Sequence, residues 1–223
     1  MTTRARRERE KEERRQSILQ AARETFFEEG FYRATVDSVA ERAEVSKGTV
    51  YLYFDSKEAL LAALLLEGLD TLLQTLEAAC PPDEPLAAEE RLQRIGWAYL
   101  QFFHHEPQYF RLLVAMSRGR FRDTVTPELY QEVLEASMEG LDYVVKAVEQ
   151  GVAEGTFACC DARQAAAVLW ATLNGILELM DHPLRQEMVG VKPEVLYHAA
   201  MDTVIRGLRY NPTGPDRETA GGA

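Results

Sequence analysis

Along nearly the whole chain, apolar residues return at intervals of three and four, the spacing that gathers side chains on one face of a helix. After about residue 57 nothing alternates in the manner of a strand. The pattern predicts helices near 57–79, 86–105, 107–118, 127–154, 162–181 and 193–209. Pro and Gly mark the breaks: Pro81, Pro82 and Pro85, then Pro107, and the stretches 119–127, 155–160 and 182–190. No internal repeat is visible. From Pro212 the chain is rich in Gly, Pro and Thr and is expected to be disordered.

The segment beginning at Lys57 is the most apolar. Leu60, Leu61, Leu64, Leu65, Leu69, Leu72, Leu73 and Leu76 line more than half of its circumference. A helix so covered must pack on both the N-terminal and the C-terminal parts of the chain, and is expected to act as a stiff lever between the two.

Upstream, residues 35–60 (TVDSVAERAEVSKGTVYLYFDSKEAL) carry a shorter rhythm, two small helices around a tight turn. Val36, Val39, Ala40 and Ala43 give the first a small apolar face. Thr35 suits its N-cap, and Asp37 lies where the helix dipole favours negative charge. Glu44, Val45 and Ser46 make a three-residue break, with Ser46 capping a second helix over 47–53. That helix turns Val50 inward and leaves Lys47, Gly48, Thr49 and Tyr51 outward. Asp55 and Glu58 have capping-box spacing and open the next helix. Lys47, Thr49, Tyr51, Tyr53 and Lys57 are all donors, clustered within eleven residues of an otherwise acidic chain. A short helix presenting donors suits the major groove, which admits one helix and is read through base edges. A generic helical hairpin would leave that cluster without a reason.

The run A-x-x-A-x-V-S-K-G-T-V-Y-x-Y-F-x-S-K-E-A-L, preceded by F-x-E-E-G-F-x-x-A-T, resembles the DNA-binding domain of TetR/AcrR-type transcriptional regulators. The resemblance extends from about Ile18 to Leu65. It is specific because Phe26 and Phe27, Gly30 and Phe31, Ala34 and Thr35, residues 46–51, and Tyr53, Phe54 and Lys57 occur in the right order. It implies that Lys47, Gly48, Thr49 and Tyr51 lie on a recognition helix. It also implies that Thr35, Ser46, Tyr53 and Lys57 touch phosphates, in keeping with hydroxyls and N–H groups at helix starts. Tyr51 and Tyr53 equally suit packing among the three helices. One position departs: Glu44 stands where the family usually has Gly, which tolerates positive φ at no steric cost. The turn there is expected to be strained or closed differently.

Charge sharpens the division. The formal net charge of the 223 residues is −11, but residues 1–57 hold 12 Lys and Arg against 11 Asp and Glu, and residues 58–223 hold 13 against 25. A nearly neutral head on an acidic body fits a two-part protein in which only the head meets nucleic acid. Residues 1–16 interleave seven basic and four acidic side chains. They read as a solvated helix extension or frayed tail, or as an arm reaching the DNA backbone or minor groove. Cys80, Cys159 and Cys160 lack framework spacing. No signal peptide and no apolar run of membrane-spanning length is recognised, so a reduced, cytoplasmic setting is expected. Arg outnumbers Lys twenty to five and Asn occurs only at 174 and 211, which fits either a thermophile or a GC-rich genome.

The middle is aromatic. Trp97, Phe102, Phe103, Tyr109, Phe110, Leu113, Met116, Tyr130 and Met138 read as ordinary core or, given the resemblance, as the lining of a largely apolar effector cavity. Tyr109, Met116, Tyr130 and Met138 suit an adaptable pocket. A fatty acyl group, an acyl-CoA or a lipophilic drug would each fit that chemistry. The resemblance further implies that the last two long helices form a four-helix interface with a second copy. Leu169, Trp170, Leu173, Leu177, Leu196, Ala200 and Val204 would be the seam, and two-fold symmetry would pair with a palindromic operator.

Two other function classes compete. For an enzyme, His104, His105 and Glu106 suggest metal and Cys159–Cys160 suggests redox chemistry. Neighbours on a helix point about 100° apart, however, and the i, i+4 spacing of a helical metal pair is absent. A protein-binding scaffold would leave the donors at 47–57 unexplained. The expectation is therefore an all-α chain of about nine helices. It comprises a charged extension (1–16), a three-helix DNA-binding domain (17–56), a helical effector and dimerisation domain (57–210) and a tail (211–223). It would repress transcription with double-stranded DNA, a second copy and a small apolar effector as partners, and without membrane, metal, cofactor or catalytic residues.

Overall fold

The computed structural model describes residues 3–81, 84–118, 121–158 and 161–209, with backbone alone at 3 and at 114–118. Cys159, Cys160 and the tail 211–223 lie outside the described residues, as does the side chain of Met116. Within them the chain is all α. Eleven helices run in order: α1 (Thr3–Glu29), α2 (Val36–Arg42), α3 (Lys47–Tyr51), α4 (Lys57–Ala79), α5 (Ala88–His105), α6 (Pro107–Arg118), α7 (Phe121–Thr124), α8 (Pro127–Ala153), α9 (Ala162–Met180), α10 (Pro183–Val189) and α11 (Pro193–Arg209). Two of them, α7 and α10, occupy stretches read from the sequence as breaks. For α10 the cause was legible: Pro183 sits in the first turn, where a missing N–H is harmless, and Gly190 ends the helix at φ 66°.

Two compact units form, one from Met1–Thr71 with His105–Ser137, the other from Leu72–His104 with Met138–Ala223. Helices α4 and α8 contribute to both.

In the first unit, the charged extension is the opening half of α1. It is held in helical form by i, i+4 pairs such as Arg6–Glu10 at 2.7 Å. Its later turns bury Ile18, Leu19, Ala22 and Phe26 in the core of this unit. Thr35 caps α2 as the spacing predicts, in a reciprocal capping box completed by Ser38. At its other end Val45 N–H donates to Ala40 O and Glu44 N–H to Glu41 O, a Schellman closure. That closure requires a left-handed residue. Glu44 adopts φ 53°, the sole non-glycine at positive φ among the described residues, so the turn has the backbone a glycine would take and carries strain.

Helix α3 ends at Tyr51, two residues short of the sequence expectation, because the N–H groups of Tyr53 and Phe54 both turn back to Val50 O. The cap of α4 is Ser56 rather than Asp55: Ser56 Oγ accepts the Ala59 N–H at 3.0 Å. A helix beginning at Lys57 puts Asp55 one residue too early to cap it.

Helix α4 is 23 residues long and apolar enough by composition to cross a bilayer, contrary to the sequence reading. Here that apolarity is used within the protein: Leu60, Leu61, Leu64, Leu65, Leu69, Leu72 and Leu76 are buried. In the first unit, Arg23 on α1 meets Glu67 on α4 at 2.6 Å, and the Tyr109 hydroxyl of α6 lies 3.4 Å from the same carboxylate. Gly68 admits this approach, since a Cβ there would stand 2.8 Å from the Tyr109 ring.

In the second unit α9 and α11 pack along each other. Leu169, Leu173, Leu177 and Met180 are buried on one, and Tyr197, Met201, Ile205 and Leu208 on the other. Buried polar groups are paired: Tyr197 donates to Gly96 O at 2.8 Å, and Tyr99 to Asn174 Oδ1 at 3.1 Å. Burial pushes both phenols well above their ordinary pKa, so both stay protonated donors.

Candidate nucleic-acid interface

Helix α3 is short, so its position depends on its ends and on one anchor. Ser46 caps it, its Oγ accepting the Thr49 N–H at 3.0 Å and lying 2.8 Å from the Thr49 hydroxyl. Val50 is wholly buried and pins the helix to the core. With one face anchored, Lys47, Gly48, Tyr51 and Leu52 are turned outward. Thr49 is half-buried and its hydroxyl is occupied by Ser46, so apart from the buried Val50 it is the α3 residue least free to meet a ligand.

The Lys47 ammonium lies 2.7 Å from Asp37 Oδ2, across the turn. This hydrogen bond raises the lysine above its ordinary pKa, so the head carries a fixed cation at the start of α3. Gly48 has open space where a Cβ would be, its nearest neighbour being Ser46 Oγ at 3.7 Å. The fold therefore does not require glycine there, and a close approach from outside would.

The flanking residues divide. The Thr35 hydroxyl is used in the capping box. Tyr53 is half-buried against the core of the first unit. The Lys57 ammonium sits 4.4 Å from the Phe31 ring centroid, a cation–π contact. Burial lowers its pKa from the ordinary value. Sequence reasoning missed Leu52, which is 79% exposed. A signal was present: Gly48, Tyr51 and Leu52 share the i, i+3, i+4 spacing of one helical face. In the opening half of α1 the side chains of Arg4, Arg6, Arg7, Arg9, Lys11 and Arg14 are exposed. The Arg15 guanidinium, in contrast, packs over the Phe54 ring at 5.2 Å.

The residues expected to line an effector cavity fall in both units. In the first, Phe110 is buried, while Tyr109, Leu113 and Tyr130 pack partly buried against the core. In the second, Phe102 is buried, Phe103 half-buried and Met138 exposed. Trp97 is half exposed and stacks on His198 with ring centroids 5.6 Å apart. These two rings line a cleft of about 620 Å³ with Glu90, Gln93, Arg94, Tyr197, Met201 and Asp202. Of the expected lining residues, Trp97 alone borders this cleft.

The expected seam residues also divide. Leu169, Leu173 and Leu177 are buried inside the protomer, and Leu196, Ala200 and Val204 are half-buried beside that face. Trp170 is exposed at its flank. The outer face of α9 instead presents Val168, Ala171, Gly175 and Leu179.

The chain is similar to known proteins. The family of bacterial regulatory proteins called tetR matches residues 18–64, and the tetracyclin repressor-like C-terminal domain matches residues 85–178. YhgD of Bacillus subtilis, described as an uncharacterised helix-turn-helix transcriptional regulator, is 28% identical over 202 residues, spanning 89% of this chain and 98% of that protein. A solved structure of unknown function from Rhodococcus sp. RHA1 matches with a TM-score of 0.70 at 27% identity, covering 88% of this chain and 96% of that one. The transcriptional regulator FadR from Bacillus subtilis, solved in complex with stearoyl-CoA, matches with a TM-score of 0.65 at 20% identity over 86% of this chain and 98% of its own. A short capped helix after a tight turn in the first unit, with family matches to both the N-terminal and the C-terminal portions, leads to one conclusion: the chain belongs to the TetR family of bacterial helix-turn-helix transcriptional regulators.

Proposed function

We propose that this regulator is a homodimeric repressor, that it binds a palindromic operator through a pair of α3 helices, and that a fatty acyl or acyl-CoA effector releases it. The observation that carries the DNA-binding part is the outward face of α3, where a fixed cation, an uncrowded glycine and a tyrosine stand beside each other on an anchored helix. Ser46 and the start of α2 supply hydroxyl and N–H groups suited to phosphates. DNA binding of this kind places the protein with the chromosome, in the cytoplasm.

The dimer reading is supported by the outer stripe of α9. Val168, Ala171, Gly175 and Leu179 follow i, i+3, i+7, i+11 spacing, and nothing lies within 4 Å of a Cβ built on Gly175. Small and medium residues on one exposed face permit the close approach of a second helix. The effector class rests on the aromatic and methionine content of residues 97–138 together with the fold shared with FadR. A lipophilic drug is the alternative effector.

Titrating the protein against duplexes selected from a randomised pool, over a salt series, tests the first part. A sequence preference that survives at raised salt is expected. Binding governed by salt alone, with no preferred duplex, would remove the regulator's operator. Adding palmitoyl-CoA, stearoyl-CoA or free palmitate to the complex then tests the effector. Release by none of the three would remove the acyl class.

A further inference from the structure

Lys47 is the one cation on α3, and its partner comes from another helix. Asp37 lies in the first turn of α2, and its Oδ2 holds the Lys47 Nζ at 2.7 Å with both side chains exposed. The carboxylate is not needed to cap α2. Thr35 Oγ1 accepts the Ser38 N–H and Ser38 Oγ accepts the Thr35 N–H, each at 3.0 Å. Asp37 is thus available to Lys47, whose charge at a helix start the dipole disfavours.

An ammonium has three N–H donors and no acceptor. With one given to Asp37, two remain, held on the outward face of the recognition helix next to Gly48. Phosphates are available along any duplex, and each lysine that reaches one strengthens binding irrespective of sequence. A phosphate taken by those same donors would lie beside the Asp37 carboxylate, and the two anions repel each other. A guanine edge offers O6 and N7 side by side in the major groove, and two free ammonium donors match that pair.

We propose that Asp37 is a positioning residue that sets the regulator's sequence specificity: it aims the Lys47 ammonium at a guanine edge and withholds it from phosphates. The inference rests on the reading of α3 as the recognition helix. On a matching duplex the ion pair stays intact while Lys47 makes its base contact. On a mismatched duplex Lys47 gains a phosphate only by setting it against the carboxylate or by giving up the pair.

Replacing Asp37 with Asn removes the restraint while leaving the Thr35–Ser38 capping box in place. Exposed pairs of this kind are weak, so Asp37→Asn is expected to raise affinity for a mixed-sequence duplex by about two- to five-fold per head. The salt dependence should steepen by about 0.9 per head, as one more phosphate is neutralised. Affinity for the selected duplex should not rise, and a fresh selection by the variant should show a relaxed guanine preference.

The experiment measures wild type, Asp37→Asn, Lys47→Met and the double variant against the wild-type-selected duplex and a mixed-sequence duplex over a salt series. In the Lys47→Met background Asp37→Asn should move neither the salt slope nor the base preference, an outcome that a merely structural role for Asp37 would not produce. Should Asp37→Asn fail to fold by thermal melting, Asp37→Ser, which restores a residue suited to that position, repeats the measurement; if neither variant folds, Asp37 is needed for the helix start and the proposal falls. Equal strengthening of both duplexes would mean simple charge repulsion and overturn the proposal, as would an effect that persists without Lys47. A wild-type protein that selects a duplex while Asp37→Asn behaves identically overturns this inference alone. A wild-type protein that selects none overturns the DNA-binding reading with it.

Discussion

Glu44 and Gly48 carry opposite mismatches between residue and backbone. Glu44 holds φ 53° in a Schellman turn whose hydrogen bonds need a left-handed residue, a conformation that costs an L residue about 1–2 kcal/mol. Glu44→Gly recovers that strain less the extra entropy of an unfolded glycine. The expected result is a gain of about 0.5–1 kcal/mol, read as a Tm rise of about 1–4 °C for a chain of this size. An unchanged or lower Tm would mean that Glu44 makes compensating contacts. Gly48 is the reverse case, a glycine in a helix at ordinary φ with open space around it. Gly48→Ala is expected to hold or raise the Tm, since alanine favours helix by about 0.5–1 kcal/mol. The same variant should bind its selected duplex at least about ten-fold more weakly, because on the proposed reading of α3 the added methyl meets DNA and not protein. A melt and a titration on one preparation separate the two effects; full binding by Gly48→Ala would exclude close approach at this position.

Among the elements, α9 has the least obvious orientation from sequence. It is apolar on two faces, and packing against α11 takes one of them: Leu169, Leu173 and Leu177 go inside, while Val168, Ala171, Gly175 and Leu179 remain outside. The two faces make different predictions on substitution. Leu173→Glu would bury an unpaired carboxylate and is expected to destabilise the protomer by several kcal/mol, lowering the Tm whatever the assembly state. Val168→Glu places its charge in water in the isolated protomer and is expected to leave the fold intact while shifting the proposed dimer to monomer. Sedimentation velocity and circular dichroism on the pair decide the matter. A folded Val168→Glu protein that remains dimeric would move the seam away from this stripe.

At the scale of the whole molecule, the proposed function makes regulation a linkage between effector and operator. An effector that weakens operator binding acts only through its different affinities for the binding-competent and incompetent states. Couplings of this kind run to about 1–3 kcal/mol, or roughly 5- to 150-fold in affinity. Reciprocity then requires that the selected duplex weaken acyl-CoA binding by the same factor. Calorimetric titration of stearoyl-CoA into the free protein and into the protein–duplex complex measures both sides. Equal affinities in the two titrations would mean that the acyl group is not the regulatory ligand.

The sequence by itself determined the helix-turn-helix, because every signal for it is local. Thr35 and Ser46 cap their helices within three residues, Val50 turns inward by helical period, and the positive φ at Glu44 belongs to a six-residue turn. Local signals also placed the long helices to within a few residues, since Pro and Gly act on the backbone around them. The spacing pointed to Asp55 as the cap of α4, whereas the structure uses Ser56, because the cap depends on the residue at which α4 begins. Only the tertiary structure decided which apolar face of α9 is interior, for a period of 3.6 locates a face but cannot rank two apolar ones. It also divided the aromatic residues of 97–138 between two units, a matter of long-range packing on which spacing is silent. The Asp37–Lys47 pair belongs to the same class. Its members lie on different helices, and only the angle at which α3 leaves the turn brings the carboxylate and the ammonium together.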